Sequence, residues 1–337
     1  GHKVTLLTWD PINSNSHYAL NPEICWHKLD LGPSNKKASW ILRFKRQLVI
    51  RKIVKEENPS VVIGFQVGTF LAMRIALLGL NIPTIAAERN SPDLFNYLRN
   101  GTIHRFLASL ALSLSNIITV QLESYKYKYP LFLRSRIVTI SNPIYPCKEP
   151  AYPNEGIKPP KRILNVGRLS YQKNQLFLIR SFALIASKNP DWKLTLVGEG
   201  EYRENIERLI IEKGLINRID LIGAVKEVDY WYQNSSFFVF PSLWEGFPNA
   251  LVEAFREGLP AIGLSSTSGV NQLIVNKKNG LLVESKEESL ALALQEMINN
   301  LSFRKKAGKE ASFSIEEYPP NAIFNQWDNL FSSVSKK

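Results

Sequence analysis

Long hydrophobic runs are missing from this sequence: no apolar stretch approaches the roughly 18 to 20 residues that cross a bilayer. No cationic, apolar, small-residue leader opens it either, and a cytoplasmic protein is the expectation. Cysteine is nearly absent, with Cys25 and Cys147 alone and neither in a CxxC pair. Neither a disulfide framework nor a cysteine-built zinc cage is therefore indicated. Histidine is also scarce: His2, His17, His27 and His104 form no HExxH, so each is read as an ordinary surface or packing residue.

What is present is a chain of 337 residues, about two domains' worth, with 45% hydrophobic and 21% charged residues. The formal net charge of +12 is unevenly spread. Residues 1–150 hold 19 Lys/Arg against 9 Asp/Glu, whereas the remainder is nearly balanced at 23 against 21. The first half therefore meets something anionic. Its densest stretch, KKASWILRFKRQLVIRKIVK at residues 36–55, has eight cations, no acid, and Ile41, Phe44 and Leu48 at helical spacing. One reading is a helix drawn to anionic lipid at about 1 kcal/mol per well-placed cation. The other is a helix packed on a sheet with a solvated basic outer face. Nucleic acid is disfavoured, because no helix-turn-helix, zinc-finger or RNP-like pattern accompanies the charge.

Short β-branched runs alternate with helix-length segments. VTLLT, VVIG, PTIAA, IITV and IVTI mark strands near 4–8, 61–64, 83–87, 117–120 and 137–140, with helices near 38–57, 68–80 and 102–115. This βαβ rhythm predicts a parallel, doubly wound sheet. Six prolines in residues 142–160 then interrupt both helix and sheet and read as a linker. Alternation restarts with RILNV, KLTLV, RIDLIG, FFVF, PAIGL and GLLV, and a helix is expected over roughly 316–335. Two such sheets leave a cleft lined by the carboxyl ends of their strands.

Three strand-to-loop junctions of the second sheet carry unusual polar groups. In NVGRLSYQKNQ, Arg168 and Lys173 suit a diphosphate, a guanidinium gripping two oxygens and an ammonium adding a mobile charge. In LVGEGEYRENIERL, Gly198 and Gly200 permit a tight turn, which is weak evidence for a ligand by itself. In PSLWEGFPNALVEAF, a helix opens at Pro248 and Asn249, and its free amides form an anion site. Glu245 and Glu253 flank that site. Carboxylates beside a diphosphate repel it unless they face hydroxyls, so Glu253 is assigned to a ribose and Glu245 to a sugar.

VGRLSYQKN, VGEGEYR, LIGAV and FPSLWEGFPNALVEA, in that order and spacing, resemble the retaining glycosyltransferases of family GT4, most closely over residues 162–285. The resemblance implies an α/β GT-B fold, two Rossmann-like doubly wound parallel-sheet domains facing across a cleft. Residues 1–145 would form the acceptor- and membrane-facing domain, 146–160 the linker, 161–315 the donor domain, and 316–337 a helix returning to the first domain. GHKVTLLT is similar to the family's second strand, so the first strand and a Gly-rich loop are expected to be missing, which would impair turnover.

The resemblance further implies a uridine diphosphate sugar as donor, with Arg168 and Lys173 on the diphosphate. Gly167 lies in that same loop. Glu245 and the amides of Gly246, Phe247, Asn249 and Ala250 around Pro248 would hold sugar and phosphate, and Glu253 the ribose. The base would lie near Gly223, Ala224, Val225 and Lys226, with Gly198 and Glu199 close by. No metal or cofactor is expected, and the seven aspartates include no DxD pair. Retention would follow same-face attack, the leaving phosphate accepting the acceptor's proton. Where many relatives have a histidine, this chain has Glu88, Arg89 and Asn90, so Glu88 or Arg89 is expected to face sugar or acceptor. The combined expectation is a metal-independent enzyme, peripheral on the inner face of the plasma membrane, that extends a lipid-linked or oligosaccharide acceptor in polysaccharide or glycolipid synthesis. A sugar-nucleotide epimerase and a non-catalytic basic binding protein are the alternatives.

Overall fold

A computed structural model describes residues 1–16, 19–32, 38–147 and 161–335. His17, Lys36, Lys37 and most of the expected linker, residues 148–160, lie outside the described residues. The first half runs β1 (Thr5–Thr8), β2 (Cys25–Lys28), α1 (Trp40–Glu57), β3 (Val62–Phe65), α2 (Gln66–Ala76) and β4 (Thr84–Ala87). It continues through α3 (Gly101–Leu112), β5 (Ile117–Val120), α4 (Glu123–Lys126), α5 (Leu131–Arg134) and β6 (Ile137–Thr139). The second half runs β7 (Arg162–Val166), α6 (Gln175–Ala186), β8 (Lys193–Val197), α7 (Arg203–Glu212), β9 (Ile219–Gly223), α8 (Asp229–Gln233) and β10 (Phe237–Phe240). Then come α9 (Asn249–Arg256), β11 (Ala261–Leu264), α10 (Val270–Leu273), β12 (Gly280–Val283), α11 (Glu287–Asn299), α12 (Leu301–Phe313) and α13 (Pro320–Ser335).

The second sheet has the order β12-β11-β10-β7-β8-β9, with every strand pair parallel. Its first three strands run outward from β7 in one direction and its last three in the other. Chain direction across the sheet thus reverses between β7 and β10, and the crevice beyond the carboxyl ends of those two strands is where such sheets take ligands. Burial on both faces explains why these strands read as apolar runs: Phe237, Phe238, Val239 and Phe240 are all fully buried.

The first half differs from the single sheet expected. β3-β4-β5-β6 form one parallel sheet, and β1 pairs with β2 in a separate two-stranded parallel ladder. α13 packs against the four-stranded sheet, where Ile323, Leu330 and Val334 bury with Ile85 and Ile140. The two halves share core: one apolar cluster passes from Phe70, Ile118 and Tyr125 to Phe247, Val270 and Phe238.

α1 is capped by Ser39, whose hydroxyl accepts from the Leu42 amide, and ends at Asn58 in the left-handed conformation. The stripe read from its sequence is not the packed one. Ile50, Ile53 and Val54 are buried, whereas Trp40, Ile41, Phe44 and Leu48 are exposed. α2, which contacts α1, exposes Leu71 and Ile75, with Leu78 just beyond its end. α3, in contact with α2, exposes Ile103, Phe106, Leu107 and Leu110. Helical spacing tells how many faces are apolar but not which one the sheet covers. Among the described residues no helix is long and apolar enough to cross a membrane.

Because Leu330 anchors α13 in a small cluster, Leu330→Ala should destabilise the first half by about 2 to 4 kcal/mol. Denaturant unfolding followed by tryptophan fluorescence measures this, and an unchanged midpoint would show that α13 contributes little.

Candidate functional site

The loop after β7 and the loop after β10 are zipped together at the crevice. The Leu243 amide donates to Gln172 O (2.9 Å), Gln172 Nε2 to Trp244 O (2.8 Å), and Asn174 Nδ2 to Pro241 O (3.2 Å). Asn174 adopts a left-handed conformation that turns the chain into α6. Beneath them Asn165 Nδ2 donates to Val239 O (2.8 Å).

These bonds hold Lys173 and Glu245 against each other. Lys173 Nζ donates to Glu245 Oε1 at 2.7 Å and lies over the Phe240 ring at 4.8 Å. The side chains are only 17% and 7% exposed, so water screens the pair weakly. Arg168 extends from the same loop, exposed, and its side chain makes no hydrogen bond or ion pair among the described residues. Its backbone is fixed by Gln175 Nε2 donating to Arg168 O at 2.9 Å. A free guanidinium and a half-buried ammonium thus stand at the switch point, with one carboxylate to neutralise both.

The neighbouring β8 and β9 junctions abut this loop closely. A Cβ on Gly198 would lie 2.1 Å from Gly167 O, and one on Gly200 2.2 Å from Leu169 O. Gly223, at φ +87°, accepts from the Gly198 amide at 2.9 Å, which leaves Ala224 exposed and Val225 partly so. Glu199 is ion-paired to Arg203 at the surface.

α9 opens at Asn249, after Pro248. Not every amide assigned to an anion is available: the Asn249 amide donates to Phe247 O at 2.9 Å, because the Phe-Pro turn folds the chain back before the helix starts. Pro248 has no N–H, and the amides of Gly246, Phe247 and Ala250 have no backbone partner among the described residues. Glu253 accepts from the Tyr232 hydroxyl at 2.9 Å, and burial beside that carboxylate raises the Tyr232 pKa well above its ordinary value. Glu253, Phe247, Asn249, Val252 and Arg256 line a cavity of about 100 Å³ with Pro143, Ile144 and Tyr145 of the first half's exit.

The first half meets this site directly. A Cβ on Gly246 would fall 1.9 Å from Arg89 O and 2.7 Å from Gln121 Oε1, so only glycine fits there. Tyr125 donates to Glu245 O and to Ser268 O, the latter at 3.2 Å. Asn142 Nδ2 donates to Asn249 Oδ1 (2.8 Å), while Asn142 Oδ1 accepts from Gln121 Nε2 (2.7 Å) and Arg89 Nη1 (3.2 Å). Tyr97 donates to Leu243 O (3.2 Å) and packs its ring against Trp244 in a tilted arrangement, centroids 4.7 Å apart. None of Gln121, Tyr125, Tyr97 or Asn142 was expected at the site. Their sequence carries no periodic or motif signal.

Glu88 and Arg89 follow β4. Arg89 sits between the Phe65 and Trp327 rings at 5.5 and 5.6 Å, and burial lowers its pKa. Glu88 Oε1 is buried with no hydrogen-bond partner among the described residues. Desolvation raises the Glu88 pKa to about 7, against a smaller opposing contribution from the Val67 backbone.

Residues 150–312 match the family described as glycosyl transferases group 1. An uncharacterized glycosyltransferase of Haemophilus influenzae is 29% identical over 285 residues, 83% of this chain and 78% of that protein. A Campylobacter jejuni enzyme is 27% identical over 294 residues, 87% of this chain and 80% of that protein; its name makes it an alpha-1,4-N-acetyl-D-galactosaminyltransferase acting on a diphospho-undecaprenol-linked saccharide. Among solved structures, a sucrose-phosphate synthase from Thermosynechococcus elongatus superposes with a TM-score of 0.81 at 18% identity, over 98% of this chain and 88% of its own. TarM gives 0.74 at 20% over 85% of this chain, which spans 58% of TarM. These superpositions show the shared two-domain GT-B architecture.

The raised Glu88 pKa has a defined pH signature. The protonated form is preferred in the folded chain, so the stability it confers is full below about 4.5 and is lost as pH rises towards about 7. Glu88→Gln should remove that loss, gaining up to about 3 kcal/mol relative to the parent between pH 5 and 8. Urea titrations across that range test it, and a difference independent of pH would refute an elevated Glu88.

Proposed function

We propose that this glycosyltransferase of the GT-B fold, whose residues 150–312 match the group 1 family, moves a hexosyl-type sugar from a uridine diphosphate sugar to a lipid-linked glycan. The transfer retains anomeric configuration and uses no metal. The observation that carries this reading is the weakly screened Lys173–Glu245 pair at the β7/β10 switch point, with Arg168 free beside it.

An arriving diphosphate offers Lys173 oxygens of greater charge than one carboxylate, so the ammonium turns to them and Arg168 joins it. Glu245, released, accepts hydrogen bonds from sugar hydroxyls. Amides of Gly246, Phe247 and Ala250 add partial positive charge without a counter-ion. Negative charge grows on the leaving diphosphate as the anomeric bond breaks, and these fixed donors stabilise it where it develops. The leaving phosphate takes the acceptor's proton in a same-face attack. Glu253 binds the ribose, and the base lies along Gly223 to Val225 near Glu199. Glu88 or Arg89 faces the sugar or the acceptor, since Arg89 O abuts Gly246.

The acceptor class is supported by relatives named for diphospho-undecaprenol and poly(glycerol-phosphate) substrates. The side-by-side helices α1, α2 and α3, with exposed apolar stripes and exposed Arg43, Lys45, Lys52 and Lys55, support a first domain lying on anionic lipid at the inner membrane face. Arg46 is not part of that charge, because it donates to Leu31 O and covers Trp9.

Arg168→Ala should weaken uridine diphosphate binding at least tenfold in calorimetry with an unchanged melting midpoint, since nothing in the fold leans on that guanidinium. Lys173→Ala should lose binding and also stability, because Glu245 is left buried and unpaired. Parental affinity in both would exclude this site. A Phe44→Ser, Lys45→Glu, Phe106→Ser variant should no longer sediment with vesicles containing phosphatidylglycerol, while undiminished sedimentation would remove the membrane-docking role.

A further inference from the structure

The cluster that the donor chemistry leaves unused is Cys25, His27 and Glu57. Cys25 and His27 stand two apart on β2 and so project from the same face of the strand. Glu57 is the last residue of α1. Cys25 Sγ lies 3.4 Å from His27 Nε2, His27 Nε2 lies 3.7 Å from Glu57 Oε1, and the three ligand atoms fall within 4.8 Å of one another. Tetrahedral zinc with ordinary bond lengths needs sulfur and nitrogen about 3.6 Å apart and nitrogen and oxygen about 3.4 Å apart. Both observed spacings are near those values without any backbone movement.

The carboxylate is also oriented. Its other oxygen, Oε2, is held by Lys3 Nζ at 3.0 Å and by Thr5 Oγ1 at 3.4 Å, which leaves Oε1 turned to the imidazole. Partners of this kind fix the direction of a ligating group. The nearby Lys3 charge opposes a cation, but lysine is exposed and flexible, and it occupies the oxygen that a metal would not use.

We infer that Cys25, His27 and Glu57 form a site for one divalent ion of the zinc class, with water as fourth ligand. Its position makes the role structural. Glu57 precedes β3 while Glu88 follows the parallel β4, so the cluster lies at the opposite end of the first half from the crevice. The ion would tie the two-stranded β1-β2 ladder to the end of α1, a connection now made by the Lys3–Glu57 and His27–Glu57 contacts.

The test uses the whole chain, stripped with chelator. Zinc titrated against a chromophoric chelator should bind one to one, and cobalt should give thiolate charge-transfer absorption. Cys25→Ser and Glu57→Gln should each weaken zinc at least tenfold and abolish its upward shift of the melting midpoint. Both side chains are outside the core, so these variants fold. Absence of stoichiometric binding, or affinity unchanged in either variant, would overturn the site. Uridine diphosphate binding, measured in parallel, should be the same with and without zinc, which keeps this outcome separate from that of the donor site.

Discussion

A lysine and a glutamate, each taken largely out of water, face one another where the second sheet reverses its winding, and the site is arranged around that pair. Two ions so placed lose hydration that their mutual attraction only partly restores. Burial there makes little sense as a stabilising device, since apolar side chains of equal volume would fold as well. It makes sense as a charge held ready. The ammonium and the carboxylate hold each other until a ligand arrives, so on the proposed reading an anion entering beside them meets a cation already aligned.

That alignment is achieved by backbone rather than by side-chain crowding. Gln172, Asn174 and Asn165 bind carbonyls across the two loops, and the glycines at 198 and 200 let β8's junction close against β7's. The first half then seals the edge through Tyr125, Asn142 and Tyr97. On the proposed reading, substrate binding and the spacing of the halves are coupled: the loop that bears Glu245 is the same loop that touches Arg89 and Tyr125.

Much of this was legible from sequence, for identifiable reasons. RILNV, KLTLV, FFVF and GLLV became strands as read because strands buried on both faces have no polar alternation to confuse with a helix. Arg168, Lys173, Glu245 and Glu253 stand out because cations, a helix start and two acids occupy the strand-to-loop junctions of one sheet, and the structure brings Lys173 to Glu245 at 2.7 Å. β2 was not seen, since CWHK is short, partly exposed and without β-branched residues. The outer face of α1 was unresolved, because its apolar residues occupy two stripes and only tertiary packing chooses between them. The spent amide of Asn249 was also hidden: a proline predicts where a helix begins, not the turn just before it. Tyr125 and Gln121 gain meaning only from chain neighbours more than a hundred residues away.

The missing side chain at position 246 has a mechanical implication. With a carbonyl of the opposite half filling the volume that a methyl group would take, position 246 is a point where the two halves meet backbone to backbone. Any side chain placed there would act as a shim, wedging apart two backbones that now meet across the boundary between the halves.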